Sequence, residues 1–136
     1  MCPAPILWLR REQEAAAEEG YGDQVSFLHI TFDPKRDTAE ALRKYAGQQG
    51  VDLDANKWHF LRPETYEQAQ EIHDEHFGLK IEKQLADDVK NLEYRFWHYG
   101  RIILGNNQRI IKRAYPRGPR TDIKQLVDDL ERVATV

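Results

Sequence analysis

The residues with the clearest chemical potential are one cysteine at the start of the chain and five scattered histidines. Cys2 is followed by Pro3 and a helix-forming segment, and the first turn of a helix presents free backbone N–H groups. Such an environment lowers the pKa of a thiol and favours the thiolate, the form that attacks disulfides and binds soft metals. The alternative is that Cys2 is only a small hydrophobic residue at a chain terminus.

The histidines favour ordinary structural roles when they are considered one by one. His73 and His76 are three apart on a predicted helix and could share a metal, but no third ligand is evident, so solvated surface residues are favoured. His29 lies in an apolar strand and is predicted to be a hydrogen-bonded core residue, whereas His59 is predicted at a loop or strand edge. His98 follows an aromatic segment, and the residues alone leave open that it is a surface side chain.

Two carboxylates follow the most apolar strand of the chain. Asp33 either tunes a neighbouring site, or binds a partner there, or serves only as part of an Asp-Pro turn. Asp37 precedes a predicted helix, where a negative charge favours the helix dipole.

The composition is typical of one soluble globular domain. The chain has 136 residues, of which 32% are charged and 40% hydrophobic, which is typical of a folded domain and argues against disorder. The net charge is −3 and charges of both signs are interspersed, so the sequence lacks the clustered positive charge that is typical of nucleic-acid binding. No apolar window approaches the ~20 residues needed to cross a bilayer, and the first ten residues show no signal-peptide pattern.

The hydrophobic pattern predicts alternating helices and strands. We predict helices over about 3–19, 38–48 and 63–77 and from 121 onward, and strands over 25–32, 57–61, 97–104 and 109–115. The segment 80–95 is polar and weakly periodic and is predicted to be a long loop.

This order of elements corresponds to an α/β, thioredoxin-like fold with a mixed sheet flanked by helices. The first strand of that fold, which lies in the middle of the sheet, is missing from the predicted order. A sheet without an interior strand exposes backbone donors and acceptors. We therefore expect residues 1–136 to be a single but partial domain, truncated at its N-terminus.

The chain resembles the Sco/SenC family of thioredoxin-like copper-binding proteins, which act in cytochrome c oxidase assembly. Members carry a Cys-x-x-x-Cys-Pro motif at the first helix, a strand ending in Asp-Pro-x-Arg-Asp-Thr, and a later histidine before a hairpin. Cys2-Pro3 matches the second half of the cysteine motif, DPKRDT at 33–38 matches the second signature in full, and His98 stands at the position of the family histidine. The first motif cysteine would fall before Met1.

The resemblance implies a copper site at Cys2 and His98, with Asp33 as a residue that tunes the site or meets a partner. It implies Cu(I) or Cu(II) as the bound metal and the copper-bearing subunit of cytochrome c oxidase as the partner. It also implies that the full-length protein is anchored in a bacterial inner or mitochondrial membrane and faces the periplasm or the intermembrane space. A copper chaperone of this kind is a metal-transfer module rather than a turnover enzyme.

Two other functions remain open at this point. One is a thiol-disulfide oxidoreductase that keeps the cysteines of a target reduced. The other is an inactive scaffold that retains the fold without the chemistry. One cysteine cannot form a disulfide within this chain, so a two-cysteine reaction requires a second thiol from elsewhere.

Overall fold

The computed structural model describes residues 4–53, 57–85, 94–97, 101–115 and 122–134. The described helices are α1 (Ala4–Glu18), α2 (Ala39–Gln48), α3 (Tyr66–Glu71), which continues into a π-helical turn (Ile72–His76), and α4 (Ile123–Ala134). The described strands are β1 (Phe27–Ile30), β2 (Trp58–Leu61), β3 (Glu82–Leu85), β4 (Tyr94–Trp97), β5 (Ile102–Gly105) and β6 (Ile111–Tyr115).

Helix α1 ends where the sequence predicts, at a glycine. Gly20 has a φ of +83°, a left-handed conformation that residues with a Cβ rarely adopt. The N–H of Tyr21 then donates to the carbonyl of Ala16 at 3.0 Å, which satisfies a carbonyl left free in the last turn. Tyr21 is thereby turned into the interior, where only 2% of it is exposed.

Helix α2 begins at a side-chain cap. The hydroxyl of Thr38 accepts a hydrogen bond from the N–H of Ala41 at 3.2 Å, which satisfies one of the free donors of the first turn. Leu42, Tyr45 and Ala46 form the buried side of the helix. The predicted cap and the predicted end of this helix are both confirmed.

Replacing Thr38 with alanine is expected to lower the free energy of unfolding by about 1 kcal/mol, because the Ala41 N–H loses its partner. Urea denaturation followed by far-UV circular dichroism measures the loss. Gln48→Ala, at an exposed position of the same helix, is the control and should change stability by less than about 0.5 kcal/mol. Equal effects of the two substitutions would contradict the capping role.

The helix before the polar segment also has the predicted boundaries. Thr65 caps α3 by accepting from the N–H of Gln68 at 3.1 Å. The helix widens into the π-helical turn and stops at Gly78, whose φ is +62°. His73 lies four residues after the buried Ala69, on the same side of this helix, and is also buried.

The described strands form three separate two-stranded sheets. Strands β1 and β2 are parallel, and Phe27 lies opposite Trp58 in their register. The β3–β4 and β5–β6 pairs are antiparallel. The α/β architecture is the one expected, but within the described residues no strand joins the β1–β2 pair to the β5–β6 pair.

One edge of β1 has no strand beside it in the part of the chain that the structure describes. The N–H groups of Phe27 and Thr31 donate to carbonyls of the β2 segment, at 2.7 and 3.1 Å. Backbone groups alternate in direction along a strand, so those of Leu28 and Ile30 point away from β2. The Leu28 side chain is 57% exposed although it is a large aliphatic group.

The polar segment 80–95 is not one long loop. Residues Glu82–Leu85 form β3, which pairs with Tyr94–Trp97 in β4. The prediction was wrong because the pairing is between distant residues, and Glu-Lys-Gln-Leu has no apolar alternation that would indicate a strand. Trp97 therefore belongs to β4, not to the strand that begins the following hairpin.

The β5–β6 hairpin is confirmed, with a turn organised by one asparagine. The side-chain oxygen of Asn106 accepts from the N–H groups of Gln108 and Ile110, at 3.1 and 2.9 Å. Arg109 takes a positive φ of 63° inside this turn. The sequence places the turn correctly, whereas both strands are shorter than predicted.

The main core joins α1, α2 and the β1–β2 pair. Its buried members are Ile6, Ala16, Tyr21, Val25, Phe27, Tyr45, Ala46, Val51 and Trp58. A smaller cluster of Ile102, Tyr115 and Leu126 holds α4 against the hairpin. No described helix is both long and apolar enough to cross a membrane.

Candidate functional site

The turn after β1 is the part of the predicted site that the structure describes. Thr31 and Asp33 are 4% and 7% exposed, and the N–H of Asp33 donates to the hydroxyl oxygen of Thr31 at 3.0 Å. The carbonyl of Asp33 accepts from the N–H of Asp37 at 2.9 Å. Pro34 cannot donate to a strand ladder, so the chain leaves the sheet here and folds back on itself.

The two carboxylates of this turn are engaged in local bonds. One oxygen of Asp33 lies 3.6 Å from the Arg36 guanidinium, and the other accepts from the Arg36 N–H at 3.4 Å. The hydroxyl of Thr31 donates to the carboxylate of Asp37. Both aspartates therefore hold the turn in shape, and the structure shows Asp33 as a buried, ion-paired residue rather than an open ligand.

His73 lies behind this turn and corrects a prediction. It is 8% exposed, whereas the sequence favoured a solvated surface residue; the interpretation was wrong for His73 and right for the exposed His76. Its Nδ1 lies 2.7 Å from the Ala69 carbonyl oxygen and its Nε2 lies 3.2 Å from that of Ile30. Both ring nitrogens therefore face backbone carbonyl oxygens, and His73 joins helix to strand.

His29 is held in the neutral form, which is the form of histidine that binds metal. Its ring packs against those of Tyr45 and Phe60, with centroids 6.2 and 4.9 Å away. Burial lowers the pKa of His29 below its usual value, and the negative charge of Asp37 opposes that shift. A ring with a lowered pKa is neutral at pH 7 and keeps a lone pair on one nitrogen.

The two predicted copper ligands, Cys2 and His98, lie outside the described residues. In sequence, Cys2 stands two residues before Ala4, where α1 begins, and His98 directly follows the last residue of β4. Among the residues that the structure does describe, no group of three or more His, Cys, Asp or Glu side chains is placed to hold a metal ion. The assignment of Cys2 and His98 therefore stays a prediction.

Sequence reasoning missed two buried polar groups. His73 was interpreted with His76 as a solvated surface pair, whereas its place four residues after the buried Ala69 puts it on the inner side of the helix. Glu12 was not considered, yet it is 3% exposed on the inner side of α1. Its only signal in the sequence is its place beside Gln13, on the side of the helix that carries Ile6 and Leu9.

The sequence matches the profile of the SCO1/SenC family over residues 1–135. None of the curated proteins compared with the chain matches it significantly. Three solved structures are similar in fold. A SCO1/SenC family lipoprotein from Bacillus anthracis is 21% identical, with a TM-score of 0.79 over 98% of this chain and 73% of its own.

The other two structures are also Sco proteins. Copper-bound ScoI from Bradyrhizobium japonicum is 17% identical, with a TM-score of 0.72 over 97% of this chain and 75% of its own. BsSco, described as having a disulfide switch and belonging to the Sco family of cytochrome c oxidase assembly proteins, is 19% identical. Its TM-score is 0.71 over 100% of this chain and 73% of its own. Since the family profile spans nearly the whole chain and these structures share its thioredoxin-like fold, this protein is a member of the SCO1/SenC family.

Proposed function

We propose that the chain carries copper as cargo through Cys2 and His98, for assembly of the copper centre of cytochrome c oxidase. The observation that carries the proposal is the family match over residues 1–135, a span that includes both ligands. Copper is bound in one solved relative, ScoI, and the family of another is named for oxidase assembly.

The chemistry of the donor set fits that cargo. A thiolate is a soft ligand that favours Cu(I), and an imidazole is a borderline ligand that also accepts Cu(II). Cys2 directly precedes Pro3 and the described start of α1, where free backbone N–H groups stabilise a thiolate. The carboxylate of Asp33 is paired with Arg36, so its proposed part is to fix the turn beside the site and to meet a partner, not to bind the metal.

The proposed partner is the copper-bearing subunit of cytochrome c oxidase, and the proposed location is the periplasmic face of the inner membrane. Attachment to a membrane is supported by the Bacillus anthracis relative, which is a lipoprotein. In this reading the protein is a metal-transfer module and has no turnover chemistry of its own.

Cys2→Ser is expected to abolish the sulfur-to-copper absorption band of the Cu(II)-loaded protein. His98→Ala should weaken copper binding on the order of a hundredfold, because a tethered second ligand raises affinity by that order. Copper titration followed by ultraviolet-visible absorption measures both effects. His59→Ala, at an exposed histidine in β2, is the control and should bind like wild type; equal binding by His98→Ala and His59→Ala would refute the site.

A second candidate, a thiol-disulfide oxidoreductase, is favoured by the disulfide switch described for BsSco. Here the Cys2 thiolate would attack a target disulfide, forming a mixed disulfide and releasing one target thiolate. An external thiol would then attack the Cys2 sulfur and release the second target thiolate, and a second external thiol would free Cys2 while the two external thiols become a disulfide. Reduction of a model disulfide that depends on Cys2 but not on His98 would favour this function over copper transfer.

We further propose that residues 1–136 form one thioredoxin-like domain whose first strand and first motif cysteine precede Met1. Two observations support it: the described β1–β2 and β5–β6 pairs are separate, and Leu28 on β1 is 57% exposed. The solved relatives are also longer, since the matched region covers 73–75% of their chains. A strand inserted between the two pairs would satisfy the outward backbone groups of Leu28 and the N–H of Ile30, whereas the Ile30 carbonyl already faces His73.

A further inference from the structure

Glu12 is the most unusual buried group in the described part of the chain. It lies in the middle of α1 with 3% of its surface exposed. Neither oxygen of its carboxyl group has a hydrogen-bond partner among the described residues. Burying an unpaired carboxylate costs several kcal/mol, whereas a protonated carboxyl group avoids most of that cost.

Negative charges surround Tyr21, which follows the end of the helix that carries Glu12. Tyr21, at the end of α1, is 2% exposed, and its hydroxyl is also without a hydrogen-bond partner in the described residues. The pKa of Tyr21 is raised first by burial and then by the negative charges of Glu12, Glu131, Glu19 and Asp128. Glu131 and Asp128 belong to α4, so the side of α4 that approaches Tyr21 is acidic.

The β5–β6 hairpin places the Arg113 guanidinium in this region, and that guanidinium is already paired with a carboxylate. The pKa of Tyr115 on β6 is raised by burial, by Asp129 and, more weakly, by Glu12. The guanidinium of Arg113 lies 3.0 Å from the carboxylate of Asp129. On the β2 side, Trp58 donates to Gln13 at 2.9 Å, which leaves Glu12 without that donor.

We propose that Glu12 is a proton-binding site that couples the packing of α1 against α4 to pH. With the carboxyl group protonated, α1 is seated against Tyr21 and α4. When the proton leaves, the buried carboxylate requires water, so the α1–α4 contact opens. This device goes beyond copper transfer and does not depend on it, although α1 begins two residues after Cys2.

The direction of the pH effect follows from burial. Burial raises the pKa of Glu12 from 4.5 to about 7, so the folded state binds the proton more tightly than the unfolded state does. Stability is therefore fully present below about pH 4.5 and is lost as the pH rises through about 7. A difference of this size corresponds to a fall of about 300-fold in the ratio of folded to unfolded protein.

The experiment compares wild type with Glu12→Gln, in urea denaturation between pH 4.5 and 8.5. Over this range the wild-type ratio should fall by about 150-fold more than that of the variant, because the unfolded-state carboxyl group is already half protonated at pH 4.5 and position 12 of the variant no longer titrates. Glu14→Gln, at an exposed position of the same helix, is the control and should follow wild type. Parallel profiles for wild type and Glu12→Gln would overturn the proposal.

Two measurements on the wild-type protein keep the test independent of how well the variant folds. The carboxyl carbon of Glu12 should titrate with a midpoint near pH 7 in nuclear magnetic resonance; a midpoint near 4.5 overturns the proposal. Hydrogen exchange, corrected for the intrinsic effect of pH, should accelerate in α1 and α4 before it does in β1 and β2. Uniform acceleration across these elements would show global destabilisation and would refute the α1–α4 coupling.

Discussion

Replacing Trp58 with alanine is expected to lower the free energy of unfolding by about 3–5 kcal/mol. Trp58 is 3% exposed, and its ring stacks on that of Phe27 with centroids 4.8 Å apart. Its indole N–H donates to the side-chain oxygen of Gln13 at 2.9 Å. The substitution removes the ring that ties β2 to both β1 and α1, and it leaves a cavity at their junction.

Urea denaturation followed by far-UV circular dichroism measures this loss, since fluorescence would change with the tryptophan itself. His59→Ala, one residue along the same strand and exposed, is the control and should change stability by less than about 0.5 kcal/mol. Trp58→Phe keeps the stacked ring and loses the hydrogen bond to Gln13, so it should cost about 1–2 kcal/mol. A loss below about 1.5 kcal/mol for the alanine variant would contradict the central place of this residue.

Extending the chain upstream with a strand and a cysteine four positions before Cys2 is expected to raise copper retention on the order of a hundredfold. The reason is that a third tethered ligand multiplies affinity through its high effective concentration. A thiolate is also the donor that Cu(I) prefers. The measurement is copper per protein after dialysis against a graded series of chelator concentrations.

The control for that experiment is the same extension with serine in place of the added cysteine. This variant restores the strand but not the thiol, so it should be more stable than residues 1–136 while retaining copper no better. Equal retention by all three proteins would rule out the two-cysteine copper site. Equal stability of the two extended proteins and residues 1–136 would refute the proposed interior strand.

The local signals in the sequence were sufficient for the helices and their boundaries. Thr38, Thr65, Gly20 and Gly78 act where the sequence predicts because capping and left-handed turns depend on residues only a few positions apart. The strand that ends before Asp33-Pro34 was found for the same reason, although it is shorter than its apolar run.

Features that depend on distant contacts were beyond sequence reasoning. The β3–β4 pair joins residues 82–85 to 94–97, and no apolar alternation in Glu-Lys-Gln-Leu indicates it. The interior positions of His73 and Glu12 depend on the elements against which their helices pack, which no short motif records. Of the predicted site, the turn at Asp33 is described, and its ion pair with Arg36 adds a structural role that the motif alone did not reveal.

The imidazole of His73 has a consequence for how the molecule responds to force. One small rigid ring lies between the Ala69 carbonyl of α3 and the Ile30 carbonyl at the end of β1, three residues before Asp33. A displacement of α3 would be transmitted to the end of β1 through the rigid imidazole ring rather than through flexible side chains. The helix and the Asp33 turn would therefore move together.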